Sequence, residues 1–114
     1  MQTEIVSETD SPAFAHPRAE ILYQDHKGIK KMNSRLTVAY RTVGNDIVYG
    51  VAFTSPRDNF SRKIGRAIAE GRLEKTPLTL TPVTLEHPLK TILGDIISNH
   101  LPLYWVSANL ITER

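Results

Sequence analysis

"RLTVAYRTVGNDIVYGVAFTSPRDNFSRKIGRAIAEGRL" (residues 35–73) begins with alternating side chains and ends with helical spacing, and that change of period decides the fold. Leu36, Val38 and Tyr40 alternate with Thr37, Ala39 and Arg41, a "GND" turn follows, and "IVYGVAFT" continues in extended style. The pattern predicts a β-hairpin, Arg35 to Val43 and Ile47 to Thr54, around Gly44, Asn45 and Asp46. Ser55 then stands where an N-cap belongs, Pro56 falls at the first helical position, and Asp58 imitates the acid of a capping box. A helix from Pro56 to Glu70 is expected, with Gly71 as its stop. On a helical wheel Phe60, Ile64, Ala67 and Ile68 share one face, with Arg62, Lys63 and Arg66 broadly opposite. Between them runs a stripe of Ser61, Gly65 and Ala69, small residues four apart that let another backbone or a flat ligand come close.

Outward from this centre the signals weaken. "TPLTLTPVTL" (Thr76 to Leu85) alternates Leu with Thr and reads as a third strand that Pro77 and Pro82 confine to an edge. "HPLKTILGDIISNH" (residues 87–100) has Leu89, Ile92, Leu93, Ile96 and Ile97 at helical spacing after Pro88, a second helix despite Gly94. "LPLYWVSANLITER" (residues 101–114) reads as a last strand or a swapped arm. Residues 1–18, acidic and holding Pro12 and Pro17, read as an N-terminal arm, which leaves 19–114 as one ligand-binding domain. The expected fold class is a small single α+β domain, an antiparallel, hairpin-based sheet with two helices packed on it.

Composition sets bounds on chemistry. A chain of 114 residues is the size of one domain. Without cysteine it has neither disulfides nor thiolate metal sites, and it reads as cytoplasmic. No stretch approaches the roughly 18 apolar residues of a membrane helix, and the acidic N-terminus lacks the form of an export signal. His16, His26, His87 and His100 show no metal spacing, and no nucleotide-loop, hydrolase-elbow or zinc-protease motif appears. No metal, cofactor or catalytic residue is therefore assigned.

Net charge is only +2, so anion binding has to come from local clustering. Residues 54–73 supply it, with four Arg and one Lys against two acids. A helix N-terminus offers unpaired N–H groups, and Arg57, Arg62, Lys63 and Arg66 add donors suited to phosphate. The plain alternative is a solvated face of an amphipathic helix. Arg in preference to Lys, and the small-residue stripe beside it, favour a ligand. Phe60 and Trp105 are candidate aromatic planes, although Phe60 also fits a core position. Tyr104 and Trp105 are adjacent, so in a strand one points in and the other out.

"VAFTSPRDNFSRKIGRAIAEGRL" (residues 51–73), preceded by the hairpin, resembles the small phage proteins of the Thoeris anti-defence 1 family. The resemblance covers about residues 35–73 and rests on one strand-turn-helix signature. It implies a sponge that is not an enzyme. Such a protein sequesters cyclic ADP-ribose isomers made as immune signals, with cyclic oligonucleotides as a further ligand class, in the cytoplasm of an infected bacterial host. It also implies homo-oligomers, dimers that associate up to hexamers, with ligand contacts from the C-terminal third. Trp105, Asn109 and Arg114 are the candidates there, without a residue-by-residue match.

The pyrophosphate, riboses and adenine of such a ligand call for cationic donors, amides and an aromatic plane. Arg57, Asn59, Arg62, Lys63 and Arg66 suit the first two, and Phe60 or Trp105 the third. Three other classes compete. A nucleic-acid- or protein-binding phage inhibitor would use the same basic helix, though near-zero net charge makes nucleic acid the weaker partner. A phosphodiesterase or lyase would destroy the ligand. A purely structural protein would need none of these contacts.

Overall fold

Strand β3, Gly28–Val43, is the spine of the molecule. Its 16 residues span about 50 Å at a strand's rise, close to the longest molecular dimension of 58 Å. The structure, a computed structural model, describes residues 11–54, 61–84, 86–102 and 105–112. The C-terminal half of β3 pairs with β4, Asp46–Phe53, in the register Leu36 to Phe53 through Val43 to Asp46. The hairpin turn is thus two residues, Gly44 and Asn45. Gly44 takes φ 63°, the left-handed conformation that this turn requires at its first central position.

The other edge of β3 is paired almost from end to end by strands the sequence reading did not anticipate. β1, Ala13–Ala15, pairs with Val38–Tyr40, and β2, Arg18–Asp25, pairs with Gly28–Arg35. Part of the expected N-terminal arm is therefore sheet. Both strands keep one register, interrupted at His16–Pro17, where Pro17 has no N–H to give and its carbonyl accepts from the Leu36 N–H at 3.0 Å. At the far end Asp25 Oδ1 accepts from the Lys27 N–H at 2.8 Å and forms the turn into β3.

α1, Arg62–Lys75, follows β4; then come β5, Leu78–Leu80, on the β4 edge, and α2, Pro88–Asn99. β6, Trp105–Thr112, pairs antiparallel with β2, so of the two readings of the C-terminal segment the chain adopts the strand. The sheet order is β5-β4-β3-β2-β6, with β1 also on β3. A single α+β domain results, a curled antiparallel sheet with one helix on each face of its β3–β4 half.

Alternation assigns the two faces. Leu36 and Val38 share one with Ile47, Tyr49 and Val51, and these pack with Ile92, Leu93 and Ile96 of α2 and with Ala19, Ile21, Trp105 and Ala108. Tyr49, fully buried, donates its hydroxyl to Asp95 Oδ2 at 2.7 Å and ties this core to α2. On the other face Thr37, Ala39, Gly50 and Ala52 present almost no side chain, and α1 lies on them.

α1 corrects the expectation in two ways. Its cap is Ser61, whose extended backbone (φ −133°, ψ 120°) ends the helix there and whose Oγ accepts from the Ile64 N–H at 3.3 Å. The expected start at Ser55 and Pro56 lies outside the described residues. At its other end the helix runs through Gly71 to Lys75 and stops at Thr76, which Pro77 biases away from helical geometry. The buried face is also different. Gly65, Ala69 and Leu73 face the sheet, while Ile64 and Ile68, expected in the core, are 61% and 42% exposed. A sheet face of alanine and glycine accepts a helix only at backbone distance, so the small stripe wins over the larger apolar side chains.

A Cβ at Gly50 would collide with the Ala69 carbonyl oxygen and the Leu73 amide nitrogen, both backbone atoms with no rotamer to escape into. Gly50→Ala is expected to cost about 2–3 kcal/mol, read as a fall in the urea midpoint at unchanged slope. An unchanged midpoint would refute the close packing of α1 on β4.

Candidate functional site: a cation cluster at the start of α1

At the break between β1 and β2, His16 is only 6% exposed and its Nδ1 lies 3.1 Å from Thr37 Oγ1. Above it stands the first turn of α1, brought down by Gly65, whose absent Cβ would occupy the place of the Thr37 hydroxyl. That approach brings Arg62 and Arg66 within electrostatic reach of His16, and β3 adds Arg35. The histidine's pKa is lowered from its usual 6.5, first by burial and then by Arg62, Arg66 and Arg35. Among the described residues the first turn of α1 carries no acid.

Phe14 of β1 borders the cluster. The Arg66 guanidinium lies over its ring, 5.2 Å from the centroid, which holds the side chain against the sheet. Other cations of the region have structural employment. Arg72 donates to the Val51 carbonyl at 2.7 Å and covers the β4 edge beyond β5, while Arg41 meets Glu74 at 3.5 Å.

Of the residues selected from sequence, Arg62 and Arg66 lie in this cluster, and Lys63 is exposed on α1 between them. Asn109 is two strand spacings from β3, about 10 Å, on the same sheet face as Arg35, because Asn109, Glu20 and Asn33 form one rung. Trp105 is not part of this group. It is 5% exposed in the core on the opposite face, edge-on to Phe53 with ring centroids 5.2 Å apart. Its neighbour Tyr104 lies outside the described residues. Arg57, Asn59, Phe60 and Arg114 lie outside the described residues.

Phe14, His16 and Arg35 were not singled out from sequence, since two sit in a segment read as an arm and the third opens a strand. The available sign was His16 directly before Pro17, which only the sheet register turns into a buried position.

A depression of about 250 Å³ lined by Tyr40, Glu86, His87, Pro88, Leu89 and Lys90 sits at the start of α2, on the face away from the cluster. Its mixed charges give an anion little preference. Among the described residues no group of three His, Asp or Glu could hold a metal, and no helix is long and apolar enough to cross a membrane. No protein-family model, curated protein or solved structure matches the chain.

A histidine whose folded pKa lies below its unfolded value binds fewer protons when folded, so it favours folding above pH 6.5 and opposes it as pH falls below. Urea midpoints in low phosphate are expected to drop between about pH 6.5 and 5 in the wild type. The drop should be smaller in His16→Asn, where the amide keeps a hydrogen-bonding partner for Thr37 without titrating. Equal slopes in both proteins would remove His16 as the cause.

Proposed function

We propose that the protein binds and sequesters a small cyclic nucleotide signal without cleaving it. Cyclic ADP-ribose isomers are the first ligand class and cyclic oligonucleotides the second. The observation that carries this reading is the convergence of Arg35, Arg62 and Arg66 on a buried histidine whose pKa they help to lower. Guanidinium groups from a strand and a helix, meeting at a helix N-terminus with an aromatic ring alongside, match a pyrophosphate joined to a base. The resemblance of residues 51–73 to the Thoeris anti-defence 1 family points to the same ligand, and to action in the cytoplasm of an infected bacterial host.

Binding without chemistry is supported by the state of the histidine-hydroxyl pair described at the cluster. Thr37 is 1% exposed and its Oγ1 is pressed against Gly65, which leaves no approach for a phosphorus atom. The pair resembles a base and nucleophile by distance alone. Self-association, which the resemblance implies as dimers and hexamers, is supported by the exposed Ile64 and Ile68 on the same helix as Arg62 and Arg66. Such an arrangement would place the cations beside a subunit boundary, where a small domain can enclose a ligand.

The test is calorimetric titration with cyclic ADP-ribose isomers, then heat release and chromatography of the ligand. Tight binding with intact ligand recovered is expected, weakened on the order of 100-fold in Arg62→Ala/Arg66→Ala through the loss of two charge-assisted contacts. Unchanged affinity in that variant would take α1 out of the site, and a cleaved ligand would make the protein an enzyme. Absence of heat together with salt-dependent retention of DNA or RNA would replace the sponge with a backbone binder.

A further inference from the structure

We infer that α1 pairs antiparallel with α1 of a second copy of the chain, about a two-fold axis that passes between Ala67 and Ile68. The inference gives self-association a defined surface and direction, and it holds whichever anion the cations bind. Ligand retention and dimer formation can therefore fail separately.

The surface is the side of α1 turned away from the sheet. Gly65, Ala69 and Leu73 are buried, and at about 100° per residue Ile64, Ala67, Ile68 and Gly71 form a stripe on the far side, confined to roughly 100° of the wheel. Ile64 is 61% and Ile68 42% exposed, Ala67 is exposed as well, and a Cβ at Gly71 would meet no atom within 4 Å. The stripe thus offers two isoleucines and, beside them, two places with almost no side chain. A two-fold axis at its centre reverses the order. Ile64 then comes opposite Gly71 of the partner subunit and Ile68 opposite the partner's Ala67, large against small at every step.

Charge selects both the partner and the direction. In the first turn of α1 stand Arg62 and Lys63 and no acid, an order that the positive end of the helix opposes. Two turns on, Glu70 lies on the same flank as Lys63, about 20° away on the wheel. Both are exposed, and among the described residues neither has an ion pair, whereas Arg66 lies over Phe14 and Glu74 meets Arg41. Within one helix Lys63 and Glu70 are about 10 Å apart along the axis and do not meet. Rotation about the two-fold keeps each flank on its own side and reverses its direction. Lys63 then comes level, to within about 3 Å along the helix, with the partner's Glu70, and symmetry forms the same pair a second time. In a parallel pair that flank meets the opposite one, and neither contact forms. The apolar stripe supplies the burial, and the charges fix the orientation.

The test is sedimentation equilibrium of the full chain from micromolar to millimolar concentration at low salt. A reversible dimer is expected. Lys63→Glu and Glu70→Lys each set like charges across the axis, and each is expected to weaken the dimer on the order of 10-fold. The double swap Lys63→Glu/Glu70→Lys is expected to restore it. Ile64→Ser/Ile68→Ser is expected to leave a monomer that is folded by circular dichroism. A wild type that stays monomeric throughout overturns the inference. So does a dimer that survives the isoleucine variant, or a pair of single swaps that the double swap fails to rescue. Should the isoleucine variant not fold, the charge swaps, confined to exposed positions, still decide the question. Retention of cyclic ADP-ribose, measured separately, decides the sponge reading.

Discussion

The contact of α1 with the bare backbone of β3 and β4 is the constraint on which the rest of the molecule depends. Gly50 and Gly65 lie on opposite sides of that contact, one admitting the backbone of the helix and the other the hydroxyl of Thr37. At Gly50 the obstacle is backbone, which has no rotamer to escape into, and at Gly65 it is the side chain of Thr37, which is 1% exposed. Because the helix sits this low, its first turn reaches over the sheet to the break between β1 and β2, and two arginines come to rest near a histidine. A helix held one side-chain layer higher would keep its charge and lose the cluster. The packing that stabilises this half of the fold is thus the same packing that positions the cations.

Division of labour between the two sheet faces follows. The α2 face carries the large side chains, Leu36, Val38, Ile47, Tyr49 and Val51 against Ile92, Leu93 and Ile96, and supplies most of the apolar burial. With the core on that side, the α1 face is free to be thin. It contributes a small cluster of Ala39, Ala52, Ala69 and Leu73, and beyond the helix it continues as a polar surface of Arg18, Glu20, Asn33 and Arg35. Arg18 and Arg35 are register partners on this surface.

His16 lies where these demands meet. Pro17 breaks the strand and leaves the ladder without a donor, and the chain at that break carries a titratable ring into a nearly dry position under α1. Burial first, and then Arg62, Arg66 and Arg35, lower its pKa from the usual 6.5. Phe14 on the preceding strand keeps Arg66 against the sheet, two positions before His16 in the same short segment.

Local pattern alone was enough for the β3–β4 hairpin, for α2 and for the α+β class, because a period of two, a turn glycine and a helical run of Leu and Ile are properties of neighbours in the chain. It also placed Arg62, Lys63 and Arg66 together on α1. The missing strands β1 and β2 had no such signature: "AFAHPRAEILYQD" (residues 13–25) mixes polar and apolar residues, and its extended form comes from pairing along a strand 16 residues long. The face of α1 was misassigned for a related reason. Hydrophobicity nominates Ile64 and Ile68, but which face is buried depends on the surface it meets, and a sheet of alanine and glycine selects Gly65 and Ala69. Trp105 went to the core and His16 to the cluster by the same logic. Sequence determined the hairpin, α2, the fold class and the clustering of basic residues on α1; tertiary structure decided the N-terminal strands and which residues meet, since pairing register and backbone-level packing depend on partners far away in the chain.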